Sequence, residues 1–290
     1  MSVAASIDPE AAYRYCVRLA RSHSENFFVG SLFLRRDDRR HLAAVYAYAR
    51  LADDIADGEL PGTEKLAALD LWERRLDDSL RGIATHPVFL ALGETIRELA
   101  LPIQPFRDLL AAFRHDAEFR PFPTYEDLLT YCRHSANPVG RIVLALFGYR
   151  SEDLWSLSDR ICTALQLTNF WQDLSCDLAR GRLYLPLEDL DRFGVSRASL
   201  EAGIRCEGLE ELLRFEVERT RRLFTLGLPL AARLKPVAAR EVRMFARGGL
   251  RILARIENGG YSPIAVRPRL TRSDKLRLLA AELVGAGTTP

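Results

Sequence analysis

Apolar residues recur every three or four positions along most of this chain, and strand-like alternation is nearly absent. The pattern predicts helices almost throughout. "DPEAAYRYCVRLARS", residues 8–22, opens one with Asp8 as cap and Pro9 at the first helical position. "DDRRHLAAVYAYARLADDIAD" predicts a second, ending before the loop at 58–62. Amphipathic text at 63–82, 86–100 and 105–119 predicts three more. "TYEDLLTYCRHSANPVGRIVLALFG" starts at a capping-box-like Thr124 and carries Pro138, where a break or kink is expected. A very long helix is predicted over 151–181, then a loop over 182–194. Helical blocks follow at about 196–234, 235–258 and 271–285. Gly and Pro stand singly, with no linker, low-complexity tract or short repeat. The expectation is one all-α domain over 1–290, core about 10–285, with helices around a central cavity.

Composition narrows the function classes. A 48% hydrophobic content over 290 residues is ordinary for a globular protein with a sizeable core. A net charge of +2 gives no general pull toward nucleic acid, and no nucleic-acid partner is expected. The five cysteines contain no C-x-x-C pair, so a zinc site or disulfide framework is not expected. Cys16, Cys132 and Cys162 read as small core residues. The N-terminus lacks a basic region followed by an apolar run, so no signal peptide is read there. No apolar run reaches the roughly 20 residues that span a bilayer. A cytoplasmic protein is expected.

Against this background one stretch is anomalous. "ARLADDIADGE" places Asp53, Asp54, Asp57 and Glu59 within seven positions on an otherwise apolar helix. Like charges one turn apart repel. Asp53 and Asp57 share a face, with Arg50 and, a turn earlier, Tyr46. The later "NFWQDLSCD" repeats the chemistry, with Asn169, Asp173 and Asp177 in line. Carboxylates one turn apart can each give an oxygen to Mg²⁺, a hard ion that keeps waters or takes substrate phosphates. Two such helices facing each other would surround an oxyanion with metal. A solvated acidic face explains one such stretch equally well. Two, each on an apolar background, favour metal.

Other stretches keep two readings each. Arg180 and Arg182 in "RGRLYLP" could grip a diphosphate as planar forks, or pair with Asp177 or Glu188. In "YCRHSANPVG" the small residues suit either close helix packing or a long apolar ligand. His23, Ser24 and Asn26 in "SHSENFF" cap a helix or donate to an anion. No nucleophile elbow and no G-x-G-x-x-G is present.

"SHSENFF", "VYAYARLADDIAD", "YCRHSANPVGRIV" and "ALQLTNFWQDLSCDLARGRLYLP" stand in the order and spacing of the squalene/phytoene synthase family, which the chain resembles over roughly 10–270. The resemblance implies the all-helical isoprenoid synthase fold and chemistry on prenyl diphosphates. It implies that Asp53, Asp54, Asp57, Asn169, Asp173 and Asp177 bind Mg²⁺. It assigns Arg50, Arg180, Arg182, Ser24 and Tyr261 to the diphosphate, and Tyr131 and Tyr46 to the reaction zone. "HSANPVG" departs from the family's usual "xVAGxVG" and, with "SENFFVGSLFL", is similar to the bacterial hydroxysqualene synthase branch of hopanoid biosynthesis. That branch adds water to presqualene diphosphate and needs Mg²⁺ but no NAD(P)H. The departure puts a polar amide, Asn137, near the quenched carbocation, or else caps the helix segment broken at Pro138. Peripheral contact with the inner membrane and hand-over to neighbouring hopanoid-pathway enzymes would follow from lipid substrates. The alternatives are a head-to-head prenyl transferase making presqualene diphosphate, squalene or phytoene, and a non-catalytic helical assembly factor of the same fold.

Overall fold

The computed structural model describes residues 8–22, 36–202, 206–263, 267–271 and 274. Among them there are only helices and turns, as the periodicity predicts. By contacts the chain groups into two compact units, one of residues up to Phe119 plus Pro138–Arg150, the other of Arg120–Asn137 plus Ser151 onward.

The first unit is built around α2 (Arg36–Asp57), which packs against α1 (Pro9–Ser22), α3 (Gly62–Arg81), α4 (Pro87–Leu99) and α5 (Gln104–Ala117). Ala43, Ala44, Ala47 and Ala52 of α2 are fully buried, and such small side chains let neighbouring helices come close. Larger side chains fill the remaining space: Tyr48, Leu69, Phe89 and Phe106 are buried completely, each stabilising by about 1.5–3 kcal/mol. Tyr48 satisfies its hydroxyl by donating to the Phe106 carbonyl at 3.0 Å. Asp8 caps α1 as expected, accepting from the Glu10 N–H at 3.1 Å.

The second unit contains α6 (Tyr125–Ser135), α8 (Glu152–Ala179), α9 (Leu187–Arg192), α10 (Arg197–Glu201), α11 (Leu209–Gly227) and α12 (Pro236–Asn258). Thr124 forms the predicted capping box with Asp127. Helix α8 lies against α11. Gly227 allows this, since a Cβ there would meet Ile161 Cγ1 at 2.5 Å. Trp171 of α8, fully buried, donates Nε1–H to Thr220 Oγ1 of α11 at 2.9 Å.

Three expectations are corrected. The break in 124–148 falls at Ala136, because Pro138 is the second residue of α7 (Asn137–Leu146), where a missing N–H costs nothing. The segment 182–194 is not all loop: Pro186 starts α9. The block 196–234 splits into α10, α11 and a 3₁₀ turn at Leu228–Arg233, with Gly208 in the left-handed region before α11. Of the block 271–285, only Thr271 and Asp274 are described. Cys16 and Cys132 are buried as read, whereas Cys162 is half-buried. No helix among the described residues is long and apolar enough to cross a membrane.

Candidate active site

Helix α2 buries its alanine face, which leaves its acids on the opposite, half-covered side. Arg50 reaches along the helix to them, with Nη2 at 2.7 Å from Asp54 Oδ1 and Nη1 at 3.5 Å from Asp53 Oδ2. That does not neutralise the group. Burial, and then the Asp57 charge, push the Asp53 carboxyl up to about 7. Asp116 of α5 and Asp54 act in the same direction, while Arg50 opposes them. Asp116 was not singled out from the sequence. Its neighbourhood with Asp53 is a product of helix packing and has no local signal. Tyr46 is half-buried against the first unit's core.

Helix α8 presents Asn169, Asp173 and Asp177 on one line, with Asn169 exposed and both aspartates half-buried. Burial, followed by the Asp173 charge, raises Asp177 to about 6, against the pull of Arg180, Arg182 and Arg267. The turn that ends α8 puts two of these arginines there. Gly181 takes φ +72°, and the Arg182 N–H donates back to the Asp177 carbonyl at 2.8 Å. Glu188, one alternative partner for these arginines, instead accepts from the Tyr125 N–H at 2.7 Å. Sequence reasoning missed Arg267. Its Nε and Nη2 donate to both oxygens of Asp173, at 2.5 and 2.8 Å, and Gln172 Nε2 donates to the adjacent Pro268 carbonyl at 2.6 Å.

Tyr131 is buried and belongs to an aromatic cluster. Its ring centroid lies 5.3 Å from Phe122, 6.1 Å from Tyr184 and 6.2 Å from Phe170. Phe170 and Tyr184 stack at 3.9 Å. Asn137 is also buried, and its Oδ1 accepts from Thr163 Oγ1 at 2.9 Å. Its side chain therefore packs onto α8. Tyr261 lies under the Arg214 guanidinium, 5.2 Å from its ring centroid, and interacts with Glu257. Neither partner belongs to the acid groups. Ser24 and the rest of 23–35 lie outside the described residues.

The donor sets suit Mg²⁺. Each is made of hard oxygens, and in each, burial and then a neighbouring carboxylate raise one carboxyl, Asp53 or Asp177. Among the described residues no three His, Cys, Asp or Glu side chains are arranged to hold a metal alone. Paired carboxylates match an ion that keeps several waters and takes substrate phosphates. Asp53 with Asp57, and Asp173 with Asp177 and Asn169, are the residues that would hold it.

The chain matches one family model and several known proteins. A family model described as squalene/phytoene synthase matches residues 20–274. A phytoene synthase of Arthrospira platensis is 33% identical over 238 residues, covering 78% of this chain and 77% of that protein. The crystal structure of squalene synthase HpnC from Alicyclobacillus acidocaldarius superposes with TM-score 0.83 at 42% identity, over 87% of this chain and 95% of that one. A dehydrosqualene synthase crystallised with ligand superposes with TM-score 0.85 at 26% identity, over 96% and 99%. The fold is the all-α isoprenoid synthase fold of these neighbours.

Proposed function

The chain belongs to the squalene/phytoene synthase family, whose members are enzymes acting on prenyl diphosphates, and from that membership we propose that it is a Mg²⁺-dependent hydroxysqualene synthase. It converts presqualene diphosphate and water to hydroxysqualene and diphosphate. The observation that carries the specific reading is Asn137, a buried amide in a family stretch that is otherwise apolar and small. The 42% identity to a protein described as squalene synthase HpnC supports a substrate on the squalene route.

In this reading Arg180 and Arg182, set beside Asp177 by the Gly181 turn, grip the diphosphate as it departs with the electron pair of the broken C–O bond. Mg²⁺ supplies the positive charge that makes diphosphate a good leaving group. Phe122, Tyr131, Phe170 and Tyr184 present ring faces that stabilise the carbocation and exclude stray water. The Asn137 amide oxygen is occupied by Thr163, so its N–H is what remains to hold a water. That water keeps a lone pair for the cation, forms the new C–O bond and loses a proton to the departing diphosphate. No nicotinamide is needed, since no hydride is transferred. Peripheral contact with the inner membrane and hand-over to neighbouring hopanoid-pathway enzymes belong to the same proposal.

Two experiments test it. Metal binding must displace the protons that Asp53, at about 7, and Asp177, at about 6, hold in the metal-free protein. Titration calorimetry should show Mg²⁺ affinity falling by about tenfold per pH unit below pH 6. A flat profile from pH 8 to 5 contradicts the carboxylate assignment. Asn137→Gly should keep Mg²⁺-dependent diphosphate release and change the products, with less hydroxysqualene and more hydrocarbon or rearranged alcohol. Hydroxysqualene as sole product at an undiminished rate removes Asn137 from the mechanism.

A further inference from the structure

The C-terminal end of α12 and the segment after it enclose a pocket of about 570 Å³. Among the described residues its polar lining is Arg251, Arg255, Arg267, Arg269, Asn258 and Ser262, which gives four guanidinium groups and no carboxylate. Two carboxylates nearby offset part of that charge. Asp274 accepts from Arg251 Nε at 3.1 Å and from Arg255, and Asp173 engages Arg267. Among the described residues, four cations against two anions leave an excess of two positive charges. The donors are also in excess. Arg269 has no ion pair or hydrogen bond among the described residues, and Arg255 Nε is buried with no acceptor. An unmet buried donor is destabilising, and a bound acceptor would satisfy it. Ile256, Pro263 and Pro268 add an apolar wall. The C-terminal dipole of α12 opposes an anion, but it amounts to about half a charge against the excess of guanidinium charge.

We propose that this pocket binds a phosphate-bearing anion, as free diphosphate or as the headgroup of a phospholipid. Guanidinium forks match phosphate oxygens two at a time, and the volume leaves room for ester carbons against the proline wall. The site is separate from the chemistry proposed above, and Arg267 alone joins it to Asp173.

The test uses the full chain in Mg²⁺-free buffer without substrate, so it stands apart from the reading of the reaction. One arm titrates inorganic diphosphate by calorimetry. The other sediments the protein with phosphatidylglycerol vesicles, using phosphatidylcholine vesicles as control. Arg251→Gln with Arg269→Gln should weaken binding at least tenfold in one arm. The matching lysine pair should fall between, since it keeps charge and loses the forks. Arg197→Gln, which removes only an exposed pair with Glu201, should retain binding. Loss in the diphosphate arm identifies a free anion, and loss in the vesicle arm identifies a headgroup. If the double variant loses fold, Arg269→Gln alone serves, because Arg269 is exposed and has no ion pair or hydrogen bond among the described residues. Unchanged binding in both arms, or no binding by the native protein in either, overturns the site.

Discussion

Replacing Asp173 and Asp177 together by alanine should slow diphosphate release about a thousandfold, or about 4 kcal/mol of lost transition-state stabilisation. The fold should survive. Both side chains are half-buried on one face of α8, while the helix is anchored from its other side by Trp171 and Leu174. The structural interaction lost is the Arg267–Asp173 pair, whose partners are 37% and 27% exposed. An ion pair that open to solvent contributes about 1 kcal/mol or less. The two magnitudes separate the roles: a functional site loses far more rate than stability. Thermal melting and diphosphate release are measured on the same preparation. Near-native turnover by the folded double variant contradicts the metal assignment.

The second large effect is on stability. Arg219 of α11 donates to Asp189 Oδ2 at 2.7 Å and to both oxygens of Glu216, with its guanidinium 3.5 Å over the Tyr125 ring. Glu216 is fully buried and Asp189 nearly so. Arg219→Met leaves two buried acids without their cation and should cost about 3–5 kcal/mol at pH 8. Arg197→Met, which removes an exposed i,i+4 pair with Glu201, should cost under about 1 kcal/mol. Burial already pushes the Glu216 carboxyl above the usual carboxylate range, against the pull of Arg219. Without Arg219 the Glu216 carboxyl moves higher still. An acid whose folded value exceeds its unfolded one loses stability as pH rises between the two. The deficit should therefore be small near pH 4.5 and grow toward pH 8. Denaturant unfolding across that range checks it, and a pH-independent deficit contradicts the account.

Much of this architecture can be read from the chain because its elements are long. Helices α2 and α8 run for 22 and 28 residues, enough turns for periodicity to stand out and for the acids to break it visibly. The six residues of α9 make less than two turns and carry no such pattern. The break near Pro138 was legible in kind but displaced, because proline is permitted in a first turn, so α7 includes it and α6 ends before Ala136. The carboxylates announced themselves by being charged where the surrounding text is apolar, whereas Tyr131 and Asn137 were singled out only through the resemblance to the family motif and the departure from it. Arg219 did not, although Glu216 on the buried stripe with Leu212, Val217 and Phe224 called for a cation. Arg267 had no local signal at all, since its partner Asp173 lies 94 residues away.

The purified chain is given presqualene diphosphate and Mg²⁺ in ¹⁸O-labelled water, with NADPH withheld, and the extract is analysed by mass spectrometry. The account predicts hydroxysqualene carrying one ¹⁸O, formed at a rate that added NADPH does not change. Squalene formed only with NADPH, or no turnover until two prenyl diphosphates are supplied for coupling, would contradict it.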